Sequence, residues 1–366
     1  DWLDVPLEEM IDDYAERLES KGVSKRQVPD RKQQLNKVFT ECGFTTLRQI
    51  DRTSFERWLN LQTKNNMSAA RRNVYQSAVV AFLNWAVSVQ RLLTNPLAGM
   101  KEASEQADRR HVRRAFTTEE LQRLITAAIQ RPLANAMIVQ HGDNKGKPLA
   151  TVSDEQREWL ISVGWEHAMI YKTFVGTGLR RGELASITIG DVCFDKEKPF
   201  ISLGAANEKS RRGACKWLSK SLAKDIAGHL DMKLKALRKQ AEIQGNPIPC
   251  RLPLATPLFD VPVRLSRVLD KDMEFAGISK TDERGRVLDV HAFRMTFCSN
   301  MAAAGVPLQT AQVAMRHSDP KLTVNVYTDI DLLDIRGAMN SLPEITMDDG
   351  DGHGEATTEK GEPTGE

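Results

Sequence analysis

Four short stretches in the second half of this 366-residue chain hold residue types that could do chemistry together. The first is GTGLRRGEL, residues 176–184. Its glycines let a helix start approach whatever lies in front, and Arg180 and Arg181 carry forked donors that fit a phosphate bidentately. The second is ANEKSRRG, residues 206–213, a basic turn between two apolar runs that presents Lys209, Arg211 and Arg212. The third is HAFR, residues 291–294, where helical spacing would put His291 and Arg294 on one face. The fourth is RHSDPKLTVNVYTD, residues 316–329, with His317 and Tyr327 ten residues apart across a turn at Pro320. Each stretch alone has a plainer reading: an H-x-x-R is ordinary surface polarity, a tyrosine packs in a core, and G-T-G-L-R caps a helix.

Together they are the set that metal-free transesterification at a phosphodiester requires. Charge builds on the non-bridging oxygens in the transition state, and two fixed guanidiniums can stabilise it. A tyrosine hydroxyl can attack phosphorus while a histidine takes its proton. The leaving 5′-oxygen needs a proton, and a lysine crowded by cations has a lowered pKa suited to giving one. No P-loop, paired-carboxylate or Cys/His metal pattern competes, so neither cofactor nor metal is expected.

The elements that must position these residues divide the chain. Apolar residues at spacings of three and four predict helices over 6–19 (Leu7, Met10, Ile11, Tyr14, Leu18) and over Pro29 to Cys42. A capping box from Thr53 to Glu56 opens a third helix, and Ser68 opens a fourth that runs until Asn95-Pro96. Four such helices can close over one core, giving a domain over 1–101. Residues 102–115 have almost no apolar content and read as a basic linker. Its Arg109, Arg110, Arg113 and Arg114 suit either a strap along a phosphate backbone or a solvated tether. The second domain, 116–343, opens on a capping box from Thr117 to Glu120 and continues through an exposed loop at 130–152. A long helix capped by Ser153 follows, then a short one after Gly178, then strands at 199–203 and 214–218. The tail, 344–366, is rich in Asp, Glu and Gly without hydrophobic period and is expected to be disordered. The fold class is therefore mainly α with a small β-sheet.

Charge is distributed unevenly. The chain carries +2 overall but −7 over 344–366, so the preceding 343 residues carry +9. Between Lys21 and Lys101 there are fourteen Lys/Arg and four Asp/Glu. Such concentration suits a nucleic-acid partner, although a solvated basic face would look the same. The helix over 69–91, with Arg71, Arg72 and Gln76, is the candidate groove-facing element. Five scattered cysteines without a C-x-x-C pair argue for reduced thiols in a cytoplasm, where a DNA partner would make the protein nucleoid-associated. No apolar run approaches the ~20 residues of a membrane span. The first twenty residues hold eight acids and one base, unlike a secretory leader.

The boxes GTGLRRGEL, HAFR and MRHSDPKLTVNVYTD resemble, in order and separation, the signature boxes of the tyrosine recombinases, the phage integrase family. The resemblance runs over roughly residues 4–343 and is most specific at 174–184 and 288–329. It implies an N-terminal helical, SAM-like core-binding domain and a mixed α/β catalytic domain that clamp double-stranded DNA. It further implies cleavage and rejoining through a 3′-phosphotyrosine on Tyr327, with Arg180 and Arg294 on the phosphate, Lys209 in the hairpin and His291 for acid–base work. His317 would then hydrogen-bond the scissile phosphate. A homotetramer exchanging C-terminal segments is implied, with accessory excision or DNA-bending proteins as further partners, in the integration or excision of a mobile element. Two departures stand out. His317 precedes the tyrosine by ten residues where many relatives have nine, and Met315-Arg316-His317 replaces Leu-Gly-His. Rival readings are a type IB topoisomerase-like enzyme and a DNA-binding relative without catalysis. An RNA-binding protein gains little without an aromatic stacking motif.

Overall fold

The computed structural model describes residues 1–24, 26–139, 141–204, 213–317, 319, 323 and 329. Among them are eleven α-helices and one three-stranded sheet, in two compact units, Asp1–Val112 and from Arg113 onward. The mainly helical class read from the sequence is what the structure has.

In the first unit, α1 (Leu7–Ser20), α2 (Gln27–Cys42), α3 (Arg52–Lys64) and α4 (Ala69–Ser88) enclose one core. The predicted apolar stripe of α1 is its buried face, with Leu7, Met10, Ile11 and Tyr14 inward. Phe82 of α4 centres the core and meets Tyr14 edge-on, ring centroids 5.6 Å apart. Two boundaries differ from expectation. Asp51, not Thr53, caps α3, its carboxylate accepting from the Ser54 amide at 2.9 Å, because Asp51 holds the extended backbone a cap needs. The fourth helix stops at Ser88, well before Pro96; Gln90 takes a left-handed φ of 60° that no helix continues through.

In the second unit, α5 (Thr118–Ala136) begins with the expected Thr117–Glu120 capping box. It runs through Pro132 to Ala136, so the predicted loop at 130–152 begins seven residues late. Helix α6 (Asp154–Thr177) is capped by Ser153 and is buried almost all round from Gly164 to Thr177, as a helix at the centre of a domain must be. Gly164 lets α5 and α6 touch: a Cβ there would collide with the Ile129 carbonyl oxygen. Phe293 stacks on Phe116, Tyr171 and Phe174, with centroids 4.9, 5.2 and 5.8 Å away.

The short helix α7 (Arg181–Ser186) leads into β1 (Val192–Cys193), β2 (Phe200–Leu203) and β3 (Ala214–Trp217), antiparallel in that order, with Phe200 opposite Trp217. The two longer strands fall where the sequence put them. Helices α8 (Lys220–Ile243), α9 (Leu265–Phe275), α10 (Ala292–Ala303) and α11 (Leu308–Met315) complete the unit. No helix among the described residues is long and apolar enough to cross a membrane.

Candidate active site

The GTGL turn is a helix stop followed by a helix start. Gly178 ends α6 in the left-handed region, φ 63°, and a Cβ on it would collide with the Phe297 ring. Only glycine satisfies both demands. Arg180 is then the residue before α7, and Glu183 folds back on it. The Glu183 Oε2 accepts the Arg180 backbone N–H at 2.8 Å and its Oε1 accepts Arg180 Nη1 at 2.9 Å. Glu183 is 3% exposed and also receives Arg316 Nη2 at 2.6 Å. Burial alone would raise its carboxyl; the Arg180 amide and the Arg316 and Arg180 guanidiniums together hold it below the usual range.

Arg294, on α10, is 1% exposed. Its Nη1 donates to the Gly178 carbonyl and its Nη2 to the Met315 carbonyl, so one guanidinium joins the end of α6 to the end of α11. His291 lies one residue ahead of α10 and is exposed where Arg294 is buried, and the Arg294 charge still reaches its ring. Asp289 accepts the His291 and Ala292 amides at 2.8 and 3.0 Å, and Arg113 donates to its other oxygen at 2.7 Å. Desolvation where it meets the protein, then the Arg113 charge, hold the His291 imidazole below its ordinary value; Asp289 opposes this.

His317 follows α11 and is 7% exposed. Its Nδ1 lies in a hydrogen bond 3.0 Å from Thr323 Oγ1. Burial, then Arg294, then Arg180, push its pKa down to about 4, so the ring is neutral near pH 7. Thr323 and Asp329 bracket Tyr327 in sequence. Asp329 is held by the Ser299 hydroxyl on its amide at 2.7 Å, and its carboxylate accepts the Ala115 amide at 2.9 Å. Tyr327 itself, Lys209, Arg211 and Arg212 lie outside the described residues, as does the acidic tail.

The sequence reading passed over Lys216. Strand alternation on β3 puts it inward, 5% exposed, while Trp217 faces solvent at 63%. Its Nζ donates to the Ala314 carbonyl of α11. Desolvation first, then the charges of Arg316 and Arg294, bring its pKa down to about 7. Strand alternation sets Lys216 and Trp217 on opposite faces, but which face turns inward is decided by α11, far along the chain. Arg316, which stands where many relatives have the glycine of Leu-Gly-His, takes a left-handed φ of 55°, the conformation that glycine adopts most readily.

The proposed DNA-contacting side chains have varied surroundings. Gln76 is 4% exposed and donates to the Met100 and Lys101 carbonyls at 3.2 and 3.4 Å, which corrects its reading as groove-facing. Arg114 is likewise turned inward, 9% exposed with both Nη atoms on Glu120 at 2.7 Å, so it straps no backbone. Arg71 is exposed and lies over the Tyr75 ring at 4.9 Å; Arg72 is half-buried on Thr63 Oγ1. Arg109 is exposed, and so is Arg110, which is ion-paired with Asp108 at 2.6 Å. Arg181 is exposed, donating to the Pro262 carbonyl at 3.0 Å.

Residues 162–332 match the model of the phage integrase family. No curated protein matches the chain. Among solved structures, a lambda integrase dimer bound to a COC′ core site is 18% identical over 87% of this chain and 97% of its own, with a TM-score of 0.56. The Tn1549 transposon integrase in complex with transposon right end DNA is 15% identical over 92% of this chain and 99% of its own, TM-score 0.56. XerH site-specific recombinase bound to palindromic difH substrate is 13% identical over 91% of this chain and 83% of its own, TM-score 0.57. At these identities the structures establish a shared fold; the family model reaches the residues that carry the boxes. Residues 162–332 are thus similar to the phage integrase family, whose model they match.

Proposed function

We propose that this protein cuts and rejoins double-stranded DNA site-specifically through a 3′-phosphotyrosine on Tyr327, serving the integration or excision of a mobile element. The observation that carries the reading is the Arg294 guanidinium, which ties the Arg180-bearing turn to the His317-bearing turn from a buried position. Two arginines and a neutral histidine held this way are preorganised donors in a site of low dielectric, where they stabilise transition-state charge far better than in water.

In the proposed reaction the Tyr327 hydroxyl oxygen attacks the scissile phosphorus and its proton passes to His291. The bond from phosphorus to the 5′-oxygen breaks, and Lys209 supplies the proton that oxygen needs. Arg180 and Arg294 meet the non-bridging oxygens, and His317 donates a hydrogen bond to one of them. The phosphotyrosine keeps the bond energy, so attack by a 5′-hydroxyl of another strand restores the DNA backbone and the tyrosine without ATP. Support for a multimer comes from a neighbour of the same fold, a lambda integrase tetramer bound to a Holliday junction. We extend that assembly to this chain, with DNA and three further copies as partners and accessory excision or bending proteins alongside. The unit 1–112 is proposed as the core-binding domain, with Arg71, Arg72, Arg109 and Arg110 on phosphates, and the unit from 113 as the catalytic one.

The test is covalent trapping. Nicked duplexes drawn from the genomic flanks of the gene are incubated with the protein, denatured, and searched for DNA-linked protein by gel and mass spectrometry. An adduct on Tyr327 that disappears in Tyr327→Phe is the expected result. An adduct on another tyrosine, or relaxation of supercoiled plasmid carrying no target site, would overturn the reading.

A further inference from the structure

A helix leaves its last four carbonyls without partners in the helix, and α11 fills all four in an unusual way. The Gln312 carbonyl accepts the His317 amide at 3.1 Å and the Val313 carbonyl accepts the Arg316 amide at 3.0 Å. The Met315 carbonyl takes Arg294 Nη2, and the Ala314 carbonyl takes Lys216 Nζ. The last two donors come from α10 and β3, so cations from two other elements hold the turn that carries His317. Cations suit the negative end of a helix, but a neutral donor would fill the same bond. Burying an ammonium is costly, and β3 does so by turning Lys216 inward and Trp217 out. A local rule broken in this manner is expected where function demands it.

We propose that Lys216 is a positioning residue for His317: by holding the Ala314 carbonyl it fixes the turn after α11 on which His317 is presented. The charged groups facing it are Arg316 behind α11, Arg294 from α10, and Glu183 and Arg180 at α7. His317 itself feels the Lys216 charge. The proposal rests on the strand-transfer reading only for its consequence in catalysis; the geometric part stands apart from it.

The test uses the full chain with Lys216→Met, which removes the donor, and Lys216→Arg, which keeps a charged one. By NMR, the amides of Arg316 and His317 in Lys216→Met should exchange about tenfold faster or more, while those of Phe174 in α6 are unchanged. The His317 imidazole should titrate above its value of about 4 in the wild type. On nicked duplexes, adduct formation should fall ~10²-fold, the loss a misplacement of about 1 Å brings. DNA affinity should stay within about twofold, and Lys216→Arg should recover part of the rate. Unchanged exchange at Arg316 and His317 overturns the proposal, as does an adduct rate within about twofold of wild type. If the wild type forms no adduct on any duplex, the strand-transfer reading fails, and the exchange measurement still decides the role of Lys216.

Discussion

Arg316 Nη2 lies 2.6 Å from Glu183 Oε2, across 133 positions of chain, and that same oxygen accepts the Arg180 amide at 2.8 Å. One carboxylate therefore sets two arginines, and it does so from a buried position. Glu183→Gln leaves the shape and removes the charge that faces Arg180 and Arg316, the latter at 11% side-chain exposure. Breaking a buried pair from one side typically costs ~3–5 kcal/mol. We expect ~3 kcal/mol less stability in urea unfolding. Arg316→Gly should be milder, because relief of the left-handed φ of 55° returns ~1 kcal/mol. Equal losses from the two variants would count against this division of labour.

Lys216 and His317 both have pKa values below their ordinary ones, about 7 and about 4. In each case the unfolded chain binds a proton that the folded one does not, so stability rises with pH across the window between the two values. For His317 the window runs from about 4 to the ordinary 6.5, and for Lys216 from about 7 to the ordinary 10.5. A shift of one unit corresponds to about 1.4 kcal/mol. Unfolding free energies measured from pH 7 to 10 should therefore climb less steeply for Lys216→Met than for the wild type. Parallel curves would mean that the Lys216 amine is not desolvated in the fold.

What the sequence could and could not reveal follows from the range of each interaction. Arg180, Arg294 and His317 were legible because each sits in a short box whose spacing is local, and the structure brings the turns bearing them together. Glu183 and Lys216 were missed because their roles exist only through contacts with Arg316 and Ala314, far along the chain. Gln76 was misread because helical periodicity does not say what covers a polar side chain; here the backbone at Met100 and Lys101 does. Arg114 followed the same logic, its partner Glu120 being the capping-box residue that the sequence had already placed. The boundary of α3 slipped by two residues because Asp51 and Thr53 are both good caps, and the backbone before the helix chooses between them.

Gly178 meets two constraints at once, a φ of 63° and a Phe297 ring pressed on its Cα. Gly178→Ala adds a methyl where the backbone disfavours one and the ring must move. Overpacking of this kind costs ~1–3 kcal/mol, with the left-handed conformation adding ~1 more. Because the Gly178 carbonyl also receives Arg294, the damage should reach the site. A melting temperature lowered by several degrees, together with slower adduct formation, is the expected pair of results. A variant that melts normally would show that Phe297 yields without cost.

Asp272 is wholly buried and takes two donors, Arg131 Nε and the Tyr171 hydroxyl, the latter at 2.6 Å. Burial, then the Asp272 charge, raise the Tyr171 phenol well above its ordinary range, so it stays protonated and donates. This triad joins α5, α6 and α9 beneath the Phe293 stack. Removing the carboxylate alone, as in Asp272→Ala, leaves a buried guanidinium uncompensated and should cost ~3–5 kcal/mol. Replacing all three, Arg131→Met with Tyr171→Phe and Asp272→Leu, removes every polar group that needs a partner. Apolar replacements of buried ionic sets are often neutral or better, so the triple variant should regain most of the loss in chemical denaturation. If it remains as unstable as Asp272→Ala, the triad contributes stability directly rather than merely satisfying its own buried charges.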